Sequence, residues 1–262
     1  MKYKKIMLFF SVAAFLSLVL RFIQIEYAID LATGFYKAEV LGLGGLITVA
    51  ILAFAAITAA FSFTTHRRPD HPPKPNIPLS VCTALFAILV IAEMLLEGFP
   101  PNTILWQVIF LKIASIMFVL LLTAFAIKKF INISIPSIAY SFFAIYLIFK
   151  LIFSFSAISS LALISDNILL IAAYCSALVF AICFAKLYNE MDTEKGFKKL
   201  LASGLVSVII CFAQSIPHIV YNLLNDNSYL HTPLRTSFSV LFLGVFILSF
   251  LLSHFSKENA CE

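Results

Sequence analysis

Eight stretches of the chain are almost wholly apolar: residues 6–22, 40–63, 77–96, 103–127, 133–153, 167–187, 200–224 and 236–253. Polar residues gather between these stretches and are sparse within them. Neither the period of two of a half-buried strand nor the one-sided stripe of a surface helix describes them. Each has the length that a tilted helix needs to cross a hydrocarbon layer about 30 Å thick. A backbone in lipid must satisfy its own hydrogen bonds, and a helix does so within one segment. The pattern therefore predicts an all-α, polytopic integral membrane protein, with eight transmembrane helices forming a single domain over residues 1–262.

Composition agrees and narrows the choice. Hydrophobic residues make up 62% of the chain and charged residues only 12%, about half the roughly 25% of soluble domains. Eight spans consume most of the 262 residues, which excludes a nucleotide-binding, kinase or DNA-binding domain. The net charge of +5, from 18 basic and 13 acidic residues, matters through its distribution. If the chain alternates, Lys2, Lys4, Lys5, Arg67, Arg68, Lys74, Lys128, Lys129, Lys186, Lys195, Lys198, Lys199 and Lys257 all fall on one side. The remaining basic residues are Arg21, Lys37, Lys112, Lys150 and Arg235. By the positive-inside rule both termini are expected in the cytoplasm, and nucleic acid is not an expected partner. The basic start followed by residues 6–20 has the look of a secretory signal, but no small-x-small cleavage site follows, so the first span is expected to stay as an anchor.

The familiar chemical motifs do not fit. The connection 64–78 holds five of the ten prolines and reads as an extended cytoplasmic loop. Its His66, Asp70 and His71 are read as solvated linker residues, with no metal site expected. Gly42, Gly44 and Gly45 follow no strand and are assigned to close helix packing, not to a dinucleotide. Cys82, Cys175, Cys183, Cys211 and Cys261 form no disulfide pattern. No internal repeat stands out. Ser203 lies about four helical turns from His218, which rules out a dyad between them. Haem ligation would want facing histidines, and only His218 lies well inside a span. No catalytic residue and no cofactor is expected.

Charges inside a bilayer cost roughly 2.5 to 3.5 kcal/mol each at its centre, so their positions are informative. Glu93 and Glu97 close span 3, and Lys112 enters span 4 by roughly 13 Å of helical rise from the same face. Lys150 lies in the outer third of span 5, and Gln214, His218 and Asn222 occupy the outer half of span 7. Glu93 and Glu97 are spaced i, i+4, and Gln214, His218 and Asn222 continue that spacing over two turns, so each set shares a helix face. These faces are expected to meet in an outward-opening polar cavity bordered by spans 3, 4, 5 and 7. Glu93 or Glu97 would then pair with Lys112 or Lys150, and Pro217 would kink span 7 beside His218. Arg21, Glu97 and Asp166 stand near window ends and read as ordinary interface charges.

Residues 23–39 form the first outer connection, either an aromatic-belt loop or a short interfacial helix lidding the cavity. Within it, Asp30-Leu31-Ala32-Thr33-Gly34-Phe35-Tyr36 resembles the D-x-x-T-G-F-[FY] segment of uncharacterised multi-span membrane proteins of Gram-positive bacteria. The resemblance implies a bacterial plasma membrane and an eight-helix plan, and it adds Asp30 and Thr33 as loop candidates. Two functional readings compete. In one, the cavity binds a small polar solute for transport or sensing. In the other, the protein is a non-catalytic membrane subunit whose polar faces hold its own helices or another subunit together. Membrane lipids are expected partners in both.

Overall fold

The computed structural model describes residues 3–30, 36–64, 76–96, 105–128, 130–131, 133–158, 165–189, 191, 196–224 and 233–255. Among these, eight α-helices are long and apolar enough to cross a membrane. They are α1 (Tyr3–Ile23), α2 (Leu41–Ser62), α3 (Ile77–Leu96), α4 (Leu105–Ile127), α5 (Ser141–Ile158), α6 (Ser165–Tyr188), α7 (Gly196–Leu224) and α8 (Leu234–Phe255). No strand occurs among the described residues, and Ile29 and Tyr36 form an isolated antiparallel bridge.

Local chemistry sets the helix ends. Pro78 lies in the first turn of α3, where its missing N–H costs nothing, so the helix starts at Ile77 inside the proline-rich connection. Pro136 is extended, with ψ of 143°, and its ring disfavours helix in the preceding Ile135. The stretch from 133 expected to open span 5 is therefore not helical. A 3-10 turn at Ser137–Tyr140 leads into α5 instead, which runs on to Ile158. At the end of α1 the chain continues through one π-helical turn, Gln24–Ala28, closed by the Ile29 N–H donating to the Gln24 carbonyl at 3.1 Å. That turn keeps Gln24, Ile25 and Ala28 buried. The expected loop or interfacial helix thus begins as an extension of the first span.

Six helices close into a ring, with α3 on α4, α4 on α5, α5 on α6, α6 on α7, α7 on α8 and α8 back on α3. The α1–α2 hairpin packs outside this ring against α7. Helix α7 is consequently the most deeply buried span and α1 the least. Aromatic side chains fill the ring. Phe143 of α5 stacks on Phe118 of α4 with centroids 4.9 Å apart and meets Phe246 of α8 edge-on at 5.8 Å. Phe86 of α3 stacks on Phe246, and Phe184 of α6 meets Phe250 of α8. Tyr140 and Tyr188 stack at 4.3 Å, with the Lys128 ammonium 6.0 Å above the Tyr188 ring. This apolar plug lies towards one end of the bundle. The opposite end, where α1, α3, α5 and α7 finish and α2, α4, α6 and α8 begin, is called the distal end below.

Candidate functional site

A buried polar centre joins five helices at the distal end. Arg21, in the last turn of α1, forms an ion pair with Asp166, in the first turn of α6, and both side chains are 0% exposed. The placement suits each helix, because a cation near a C-terminus and an anion near an N-terminus both oppose the macrodipole. The Arg21 guanidinium also donates from Nη1 to Gln24 Oε1. Gln24 Nε2 in turn donates to the Gly44 carbonyl at 2.6 Å and to Thr48 Oγ1 at 2.8 Å, both on α2. Tyr36 OH lies 3.0 Å from Thr48 Oγ1 and 3.1 Å from Gln24 Nε2. A Cβ on Gly44 would collide with the Tyr36 ring, so glycine at that position makes room for the tyrosine.

His218 of α7 completes the centre and is fully buried. Its Nδ1 lies 3.0 Å from Ser237 Oγ on α8 and 3.0 Å from Asn222 Nδ2. Asn222 Nδ2 carries only hydrogens and also donates to the His218 carbonyl at 2.9 Å. Nδ1 is therefore the accepting nitrogen, and in the neutral ring the proton resides on Nε2. That N–H faces Asp166 Oδ2 at 3.8 Å, beyond hydrogen-bond length. Neither atom has a hydrogen-bond partner among the described residues, and the same holds for Ser17 Oγ and for both polar atoms of the Gln214 amide. Ser17 and Gln214 each sit one turn deeper than Arg21 and His218 on helices that pack together. A charged layer thus overlies a layer of uncommitted amide and hydroxyl groups. At the rim, Tyr221 donates to Glu26 Oε2 at 2.6 Å, tying α7 to the π turn.

A second ion pair spans α3 and α5, where Lys150 Nζ donates to Glu93 Oε1 at 2.9 Å with both side chains buried. This is one of the contacts expected between span 3 and spans 4 and 5. The other expectations are met unevenly. Glu93 and Lys150 pair between α3 and α5, whereas His218 of α7 makes its side-chain contacts with Asn222 and with Ser237 of α8 and faces Asp166 of α6. Arg21, Asp166, Gln214 and His218 are all buried. Lys112 is half-buried on α4, and Asp30 is half-buried just after the π turn. Glu97 and Thr33 lie outside the described residues. Helix α7 remains helical through Pro217.

Arg21 and Asp166, read from sequence as interface charges, are the central pair, and Gln24, Thr48 and Ser237 were not singled out at all. A signal existed on α1, since Ser17, Arg21 and Gln24 recur at helical spacing and the apolar run resumes after Arg21. Nothing comparable marks Ser237, whose role depends on α8 folding back onto α7. No group of three or more metal-ligating side chains occurs among the described residues. No family model, curated protein or solved structure matches this chain.

Proposed function

We propose that this chain is a multi-pass protein of a bacterial plasma membrane that binds and moves a small polar solute through the centre formed by Arg21, Asp166, Gln214 and His218. Both termini lie in the cytoplasm in this reading, and the distal end faces outward. Eight apolar helices and the clustering of basic residues between them support the topology, and the segment 30–36 supports the bacterial assignment by resemblance.

The observation that carries the reading is the set of buried polar atoms without a hydrogen-bond partner among the described residues: Ser17 Oγ, Asp166 Oδ2, His218 Nε2 and both polar atoms of the Gln214 amide. Each such group costs about 1–3 kcal/mol when desolvated and unpaired. A network that only glued helices together would gain by closing these bonds, whereas a solute site keeps them for its ligand. The α1–α2 hairpin, lying outside the ring and latched by Arg21, Gln24 and Glu26, is the element that moves to admit the solute.

The rival reading, a non-catalytic subunit, draws on the Glu93–Lys150 pair, which is sealed and directly hydrogen-bonded. One substitution separates the two. Gln214→Leu removes an unsatisfied amide, so the solute-free protein should gain about 1–3 kcal/mol of stability and lose binding of any solute that native mass spectrometry finds on the wild type. A variant that is less stable, together with a wild type that carries no solute, would instead assign these residues to helix packing.

A further inference from the structure

Given the solute-binding reading above, we infer that the solute is neutral and carries an amide or lactam edge, a C=O and an N–H side by side, on an apolar body. The starting point is Gln214, which is 1% exposed and has no hydrogen-bond partner on Oε1 or Nε2 among the described residues. Its carboxamide carries no charge, so the matching group follows from donors and acceptors alone. Two further groups belong with it. Ser17 on α1 is fully buried with Oγ unpartnered, and His218 Nε2, one turn above Gln214 on the same face of α7, is likewise uncommitted among the described residues. Pro217 adds a backbone acceptor, since a proline without an N–H leaves the Ala213 carbonyl without its helical bond. The surroundings at this depth are apolar. Ile47 and Ile51 of α2, Leu169 of α6 and Ala213 of α7 form one buried cluster, with Leu20 of α1 packed against it. Ala213 adjoins Gln214, and Leu169 lies about one turn into α6 from Asp166, so this cluster flanks the unpartnered groups.

A free carboxamide presents an acceptor oxygen and a donor nitrogen in one plane. A solute engages both ends at once when it carries an N–H beside a C=O, closing two parallel hydrogen bonds to Gln214 Oε1 and Nε2. A carboxylate accepts from Nε2 but sets its second oxygen against Oε1. An ammonium donates to Oε1 and has nothing with which to accept from Nε2. A ketone or tertiary amide fills the donor and leaves Oε1 buried and unmatched, and a site left with such a group discriminates against that ligand. The Ser17 hydroxyl and the His218 Nε2–H offer further donors to the solute carbonyl. Around them the side chains of Leu20, Ile47, Ile51 and Leu169 suit a hydrocarbon body, which gains from leaving water and asks for no polar partner.

The test follows the melting midpoint of the full chain in phosphatidylcholine nanodiscs against four probes of similar size: 2-piperidone, N-methyl-2-piperidone, piperidinium and pentanoate. 2-Piperidone should raise the midpoint of the wild type. The other three should need about tenfold higher concentration or more for the same shift, the discrimination expected when a buried hydrogen bond is left unmade. Gln214→Leu should weaken the 2-piperidone response about tenfold or more and respond to 2-piperidone and its N-methyl analogue alike, because the group that tells them apart is gone. Where Gln214→Leu fails to fold, Ser17→Ala takes its place as a smaller change on α1, and should weaken the 2-piperidone response about threefold or more. An N-methyl, cationic or anionic probe as effective as 2-piperidone on the wild type would overturn the lactam class while leaving solute binding intact. A Gln214→Leu protein that still prefers 2-piperidone would overturn it too, as would an unchanged response where only Ser17→Ala folds. Silence of the wild type to all four probes would also reject the class, and the solute reading would then be decided by native mass spectrometry and the stability of Gln214→Leu.

Discussion

A buried charge is tolerable only with its partner, and the two ion pairs in this bundle test that rule in different surroundings. Glu93 and Lys150 are hydrogen-bonded at 2.9 Å and joined across α3 and α5. Removing one partner of such a pair costs about 3–5 kcal/mol, because the other charge is left uncompensated in a medium of low dielectric. Lys150→Met or Glu93→Gln alone should therefore destabilise the protein by about that amount, while Glu93→Gln/Lys150→Met together should recover most of the loss. A thermodynamic cycle on melting in detergent measures the coupling, and additive losses would mean that the pair contributes nothing. The depth of Glu93 and Lys150 made such a pairing legible from spacing alone. Arg21 and Asp166 were harder to read, because proximity to a window end resembles an interface position until the π turn extends α1 beyond Arg21 and buries it.

Between elements, close approach is decided by glycines that look alike in sequence. Gly42, Gly44 and Gly45 all begin α2, yet a Cβ would meet nothing within 4 Å at Gly42 or Gly45 and would collide with the Tyr36 ring at Gly44. Displacing Tyr36 would break its hydroxyl contacts with Thr48 and Gln24 and loosen the hold of the π turn on α2. Gly44→Ala is expected to destabilise by about 1–3 kcal/mol as an overpacked site. Gly45→Ala should be neutral or stabilising by up to about 1 kcal/mol, since alanine is the better helix former. Melting curves of the two variants side by side check this, and equal effects would show that Tyr36 is not seated against α2. The same logic operates between α7 and α8, where a Cβ on Gly244 would lie 2.9 Å from Phe212.

At the scale of the whole molecule, the polar centre and the proximal aromatic plug give the bundle two unlike ends, and the function proposed for it depends on which end faces out. Thr64 is exposed after α2, and Tyr27 is exposed on the π turn at the other end. In a chain freed of its native cysteines, Tyr27→Cys should react with an impermeant maleimide added to intact cells, and Thr64→Cys should react only after lysis. The reverse pattern would invert the topology. The eight apolar helices and their approximate bounds were readable along the chain, because each reflects a local transfer cost that a residue incurs whatever its neighbours in space. Ring closure from α3 to α8, the docking of the α1–α2 hairpin outside it and the grouping of polar residues into two centres instead of one depended on tertiary packing. Lipid tails are as apolar as the side chains they touch, so hydrophobicity places a helix in the membrane without choosing its partner. That choice falls to shape and to the pairing of the few polar groups, and His218 finds Asp166 and Ser237 only once α6 and α8 have packed against α7.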